Sequence, residues 1–308
     1  MAIYLARSTN IAPELNRLEE TTVQTQDWNL TGADGQPILG RTYTPTTPAS
    51  AHLIICHGFK GYQDYGFLPV LARAAANHSL LAHTFNFSHS GMTRTTDTFE
   101  RPDLFERDSW SKQTHDVRTV FDALPELQPD HADLPVVLFG HSRGGIAVAL
   151  ATRNIIENSP RKTHLTGLIT AAAPADGASP IKGETGQQLR TQGHASTESA
   201  RTGQTLLIGK QWLDEIEPNP EAFDPVRAAT DSQLPHLAIH GSADPTVPAT
   251  DCQAYADANP RCTALVLQNA SHTFNCPNPF PTTPPADNPP PQTTALIQAV
   301  LQFTDGFI

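Results

Sequence analysis

Leu134-Pro135-Val136-Val137-Leu138-Phe139-Gly140-His141-Ser142-Arg143-Gly144-Gly145-Ile146-Ala147-Val148-Ala149-Leu150-Ala151 decides how the rest of the chain is read. Residues 134–139 have the length and apolar character of a short buried strand, and residues 146–151 those of the helix that follows it. Between them a Gly-x-Ser-x-Gly pentapeptide occupies the strand-to-helix turn. Such a turn strains the serine backbone and leaves its hydroxyl exposed. Side chains at the two flanking glycines would collide with the neighbouring strand and helix. The pentapeptide alone combines common small residues; its flanks make Ser142 a candidate nucleophile.

A serine hydroxyl is a poor nucleophile until an imidazole takes its proton, and the imidazole needs a carboxylate to hold its tautomer. Downstream, Leu237-Ala238-Ile239-His240 reads as a strand running into Gly241-Ser242-Ala243-Asp244-Pro245, which puts Asp244 just past a C-terminal strand end. Ala264-Leu265-Val266-Leu267 reads as another strand, and Asn269-Ala270-Ser271-His272 follows it. The order nucleophile, acid, base along the chain is one that a Gly-x-Ser-x-Gly turn accompanies. Asp176, after the strand Leu168-Ile169-Thr170, is a rival acid, and Asp244-Pro245 is also an ordinary turn signal. With 13 histidines in the chain, a chance histidine after the last strand is the competing reading of His272.

Negative charge developing on the substrate carbonyl needs backbone N–H donors. One is the amide of Arg143, next to the nucleophile. The apolar run Leu53-Ile54-Ile55-Cys56 ends in His57-Gly58-Phe59-Lys60-Gly61, and its two glycines allow close approach, so the Phe59 amide is the candidate second donor. A plain glycine turn is the alternative there.

With these residues in place the chain resembles the α/β-hydrolase superfamily, and within it bacterial serine hydrolases of the dienelactone-hydrolase and cinnamoyl-esterase-like branch. The resemblance is carried by residues 57–61, 140–145, Phe85-Asn86-Phe87-Ser88-His89-Ser90-Gly91, Arg201-Thr202-Gly203-Gln204, His240-Gly241-Ser242-Ala243-Asp244 and Ser271-His272-Thr273-Phe274. It implies carboxylic ester hydrolysis with Ser142, Asp244 and His272 as triad and Phe59 and Arg143 as oxyanion donors. Dienelactone hydrolases use a cysteine nucleophile, and haloalkane dehalogenases and epoxide hydrolases an aspartate; serine at 142 departs from all three.

The 308 residues suit one α/β domain with insertions, and 38% hydrophobic with 17% charged residues provides a core. A formal net charge of −11 argues against nucleic acid and anionic membrane surfaces as partners; the partner that the resemblance implies is a small-molecule ester. Met1-Ala2-Ile3-Tyr4-Leu5-Ala6-Arg7 lacks a signal-peptide apolar stretch, and no run is long enough to span a membrane, so a cytoplasmic location is expected. Cys56, Cys252, Cys262 and Cys276 show no C-x-x-C spacing and are expected as free thiols. No His/Asp/Glu cluster has metal-ligand spacing and no Gly-rich loop precedes a phosphate-binding lysine, so neither metal nor cofactor is expected.

Residues 21–45 read as a hairpin turning at Gly32-Ala33-Asp34-Gly35. Beyond it, apolar runs near 52–56, 80–86, 135–140, 166–171, 235–240 and 263–267 alternate with helical patterns near 67–77, 111–124, 143–157, 249–258 and 293–304. That alternation predicts a mostly parallel central sheet with helices on both faces, all catalytic candidates lying at C-terminal strand ends. Residues 177–230 exceed a simple crossover and are expected to form a small cap over Ser142, or else a helix packed at the periphery. Cys276 to Pro291, with eight prolines, should be an extended loop. Lys60, His89 and the cap residue Trp212 are candidate substrate contacts, whereas His83, inside a strand, reads as a core histidine. The working expectation is a serine esterase. Thioester hydrolysis, acyl transfer or peptide cleavage on the same triad is the alternative, then a non-catalytic binding protein on the same fold.

Overall fold

The computed structural model describes residues 23–280 and 289–307. The chain start, residues 281–288 of the proline-rich segment and Ile308 lie outside the described residues. Ten strands are described: β1 (Gln24–Thr31), β2 (Pro37–Thr44), β3 (Ala51–Cys56), β4 (Leu80–Asn86), β5 (Val136–His141), β6 (Leu165–Ala171), β7 (His194–Glu198), β8 (Thr205–Gly209), β9 (His236–Gly241) and β10 (Cys262–Leu267). Eight of them form one sheet in the order β1-β2-β4-β3-β5-β6-β9-β10. β1 and β2 pair antiparallel, β2 joins β4 antiparallel, and every other neighbour in that sheet is parallel.

Strands β3, β4, β5 and β9 are buried along their whole length, as unbroken apolar runs in a two-sided parallel sheet require. On one face the helices Leu68–Asn77 and Pro291–Thr304 close a core around Phe67, Leu71, Phe139, Ile239 and Val300. On the other, Trp110–Asp122 and Arg143–Asn158 cover Ile54, Leu138 and Leu168 with Val117, Phe121 and Ala147. The predicted strands and long helices fall where expected, with ends differing by one or two residues.

Residues 177–230 hold what periodicity does not reveal: helices Gly183–Gln192, Gln211–Ile216 and Pro225–Asp231, and the two-stranded antiparallel β7–β8 hairpin. They carry a third apolar cluster in which Leu189, Leu206, Ile208 and Trp212 meet Trp110 and Ile146 of the main body. Trp110 and Trp212 pack edge to face at 4.9 Å, and the Trp110 indole N–H donates to the Gly177 carbonyl at 2.8 Å.

Candidate active site

At the junction of β5 and the helix Arg143–Asn158, Ser142 has φ 55° and ψ −125°, a left-handed conformation costing a non-glycine residue about 1–3 kcal/mol. The Ser142 amide donates to the Ala171 carbonyl at 2.8 Å and its own carbonyl accepts from Gly145 at 2.8 Å, which holds the strained turn on both sides. A Cβ on Gly144 would come within 2.4 Å of the His57 carbonyl oxygen, so the helix can approach the β3 loop only with glycine there. Likewise a Cβ on Gly58 would stand 2.9 Å from the Ser142 Cβ. The loop after β3 is thereby pressed against the serine.

Three distant residues meet at this point. His272 Nε2 lies 3.0 Å from Ser142 Oγ, and His272 Nδ1 lies 2.8 Å from Asp244 Oδ2. The loops carrying the two partners are stitched together, Ser242 N–H donating to the Leu267 carbonyl and Ala243 N–H to the Ala270 carbonyl, each at 2.9 Å. Asp244 is fully enclosed. Its Oδ1 accepts from the Thr246 and Val247 amides at 2.8 and 3.0 Å. Burial alone would raise its carboxyl, but hydrogen bonds from His240, His272 and these amides hold it well below the usual carboxylate range. The rival acid Asp176 is instead paired with Lys182 and accepts from the Ala178 amide.

His240 is a functional neighbour that reading the chain did not single out. Its buried Nε2 stands 3.2 Å from Asp244 Oδ2 and 3.0 Å from the Val247 carbonyl oxygen. A carbonyl can only accept, so Nε2 carries the proton and the N–H is shared between the two oxygens. The available signal was a histidine at the end of an otherwise apolar strand, four residues before the acid. His141 lies beneath the array: its Nε2 donates to the His272 carbonyl at 2.8 Å and its ring packs edge to face on Phe67. Burial pulls His141 down to about 3, so it stays neutral.

On the opposite side of Ser142, the amides of Phe59 and Arg143 find no acceptor among the described residues. His57 shapes their loop, its Nδ1 donating to the Gly58 carbonyl at 2.9 Å and its Nε2 accepting from the Phe87 amide at 3.3 Å. Lys60, at φ 57°, donates through Nζ to Thr197 Oγ1 and the Glu198 carbonyl on β7, at 3.2 and 2.7 Å. The Trp212 ring lies 5.6 Å from the Arg143 guanidinium.

His89 is not brought to the array. Its buried ring is turned to Ser88 Oγ at 2.9 Å and to Asp34 of the β1–β2 turn at 3.4 Å, because the loop after β4 folds back toward that hairpin. The expectation of a substrate contact there is therefore corrected. His83 is the core histidine expected of it, its Nδ1 bonded to Thr42 Oγ1 and its Nε2 to His52 Nδ1. Among the described residues no group of His, Cys, Asp and Glu is placed to hold a metal ion, and no helix is long and apolar enough to cross a membrane.

A strained serine at a strand-to-helix turn, bonded to an imidazole that is bonded to a buried carboxylate at the C-terminal edge of a parallel sheet, defines the class of nucleophile-elbow folds. The chain belongs to the alpha/beta hydrolase family, whose sequence profile matches residues 53–284. It is 29% identical over 141 residues to monoglyceride lipase of Homo sapiens, a match spanning 46% of this chain and 41% of that protein. Solved structures share the fold at lower identity. The esterase domain of a Rhodothermus marinus protein aligns at 18% identity over 92% of this chain and 99% of its own, with a TM-score of 0.62. Est1E of Butyrivibrio proteoclasticus, solved with ferulic acid bound, aligns at 15% over 91% and 98%, with a TM-score of 0.66. A dienelactone hydrolase from Anabaena variabilis aligns at 15% over 92% and 99%, with a TM-score of 0.55.

Proposed function

We propose that the chain is a serine hydrolase that cleaves small-molecule carboxylic esters through an acyl-enzyme. The observation carrying this reading is the continuous line Asp244 Oδ2–His272 Nδ1 and His272 Nε2–Ser142 Oγ, at 2.8 and 3.0 Å. Asp244 fixes the tautomer with the proton on Nδ1, so Nε2 faces the hydroxyl as an acceptor. Ser142 Oγ attacks the ester carbonyl as its proton passes to Nε2. The oxyanion is received by the free amides of Phe59 and Arg143, and the imidazolium beside Asp244 returns the proton to the leaving alcohol. Water, deprotonated by the same Nε2, then releases the acid. Residues 177–230 act as a cap in this reading, excluding water from the acyl-enzyme. Esterase and lipase relatives agree with an ester substrate.

Ser142→Ala should lower kcat about 10⁴ to 10⁶-fold on a 4-nitrophenyl ester with the fold unchanged. A fluorophosphonate should label the wild-type protein at Ser142 and leave that variant unlabelled. Near-normal turnover by the variant would reject the assignment. A panel of matched oxygen esters, acyl-CoA thioesters and peptides tests the ester preference, which fails if either other class is turned over faster.

A further inference from the structure

The side chain of Arg143 is unexplained by the array it adjoins. Its guanidinium carbon lies 3.9 Å from the centroid of the Phe59 ring, so the cation is stacked on the side chain of the other oxyanion residue. Nη1 is buried with no hydrogen-bond partner among the described residues. No hydrogen bond or ion pair involves the guanidinium among the described residues, although it carries five N–H groups in a planar fork. Burial pulls Arg143 down to about 10, which leaves it charged at neutral pH.

The carboxyl whose charge would compensate Arg143 is Asp108, and burial pushes that carboxyl up to about 8. Among the described residues only the Ser109 amide at 2.8 Å and Gln113 Nε2 at 2.6 Å donate to it, so near pH 7 it is chiefly neutral. Lys60 shares the same region. Burial lowers its ammonium and the Arg143 charge lowers it further, and it has no carboxylate partner among the described residues. Both cations flank the oxyanion loop of a chain whose formal net charge is −11.

Stacking on Phe59 satisfies one face of the guanidinium and is worth about 0.5–2 kcal/mol. It leaves the enclosed Nη1 unmatched, which costs more than that unless a ligand supplies an acceptor, and Arg143 is only part-buried, so a ligand can reach its N–H edge. The planar fork fits a carboxylate with two parallel bonds. Resting on the esterase reading above, we propose that the ester substrate carries a second, anionic carboxylate, which the Arg143 guanidinium binds beside the reacting carbonyl, with Lys60 adding positive field. The carboxylate can belong to the acyl part or to the alcohol part, and two substrate pairs separate them.

The first pair is mono-4-nitrophenyl adipate against 4-nitrophenyl hexanoate; the second is 4-carboxyphenyl butyrate against 4-carbamoylphenyl butyrate. After subtraction of uncatalysed hydrolysis, the wild-type protein should favour the anionic member of one pair by about 10-fold or more in kcat/KM. Arg143→Met should bring that ratio to about one, Arg143→Lys should retain part of it, and Lys60→Met should lower it less. A wild-type preference for the neutral member of both pairs overturns the proposal without any variant being needed. So does a ratio that Arg143→Met or Lys60→Met leaves unchanged while Ser142 still accepts a fluorophosphonate. Failure of the esterase reading looks different: no member of either pair is turned over and Ser142 is not labelled.

Discussion

Two buried carboxyls on opposite sides of Ser142 are driven to opposite charge states. Asp244 has four donors, His240, His272 and the amides of Thr246 and Val247, and is held as a carboxylate although its side chain is enclosed. Asp108 is buried more deeply in the protein and has only two donors among the described residues, and burial wins, pushing it up to about 8. Burial pushes a carboxyl toward neutrality and donated N–H groups pull it back; Asp244 has less of the first and twice as many of the second. The base side of the site is thus saturated before substrate arrives, whereas the side beyond the oxyanion loop holds an uncompensated cation.

The largest way to break that contrast is to keep the shape of Asp244 and remove its charge. Asp244→Asn should lower kcat about 10⁴-fold, because an amide nitrogen facing His272 reverses the tautomer and leaves no anion beside the imidazolium. The expected loss is in kcat rather than KM, in steady-state kinetics on a neutral 4-nitrophenyl ester. A loss under ten-fold would mean that the carboxylate charge is dispensable.

A smaller effect tests whether saturation itself matters. His240→Phe keeps a buried ring but removes the N–H shared by Asp244 and Val247. A hydrogen bond to a charged group contributes about 1.5–3 kcal/mol, so kcat/KM should fall roughly 10- to 100-fold. Asp244 then carries more negative charge toward His272, so the acid limb of the kcat/KM profile should move to higher pH. His240→Gln, which can place an N–H near the same oxygen, should restore part of both. If His240 only fills space, the variants will differ in thermal stability with the limb unmoved.

How much of this contrast is visible in the chain itself differs between its two sides. Ser142 and Asp244 each follow an apolar run that forms a buried strand, and His272 follows one that forms the part-exposed edge strand β10, so spacing and order place them at one sheet edge. Asp108, Gln113 and the fork of Arg143 belong to a loop, a helix start and a side-chain direction, none of which has a periodic signature. The β7–β8 hairpin is similarly hidden: its alternating burial covers five residues per strand, interrupted by Arg201 and Gly203, and polar residues fill most of its outer face. His89 was misplaced for a related reason, since a residue after a C-terminal strand end shares the edge with Ser142 but need not point toward it.

The imidazoles sharpen the comparison through folding stability. Burial holds His52 and His57 down at about 4, His141 and His236 at about 3, and His83 well below its ordinary value. In the unfolded chain they titrate near 6.5. Between about 6.5 and 4 the unfolded chain binds more protons than the folded one, so stability must fall as pH falls. The chain of bonds from His131 O through His52 and His83 to Thr42 leaves each ring only one proton to place. Urea midpoints should therefore decline steadily from pH 6.5 to 4. A flat profile would show these rings exchanging protons freely with solvent.

Asp108 gives the opposite slope and the smallest effect. Its folded-state value, about 8, lies above the ordinary carboxyl value of 3.8. The folded protein therefore holds the extra proton between those limits, and its stability falls as pH rises through them. Asp108→Asn mimics the neutral carboxyl. Its amide N–H can be accepted by Gln113 Oε1, which is buried and unpartnered, once the Gln113 amide turns over. At pH 6 the variant should melt close to the wild type; at pH 9, where the wild type must ionise a buried group, the variant should melt higher, by about 2–4 °C for each kcal/mol relieved. Equal loss of stability at both pH values would mean that Asp108 is already ionised and neutralises Arg143, erasing the asymmetry between the two sides of Ser142.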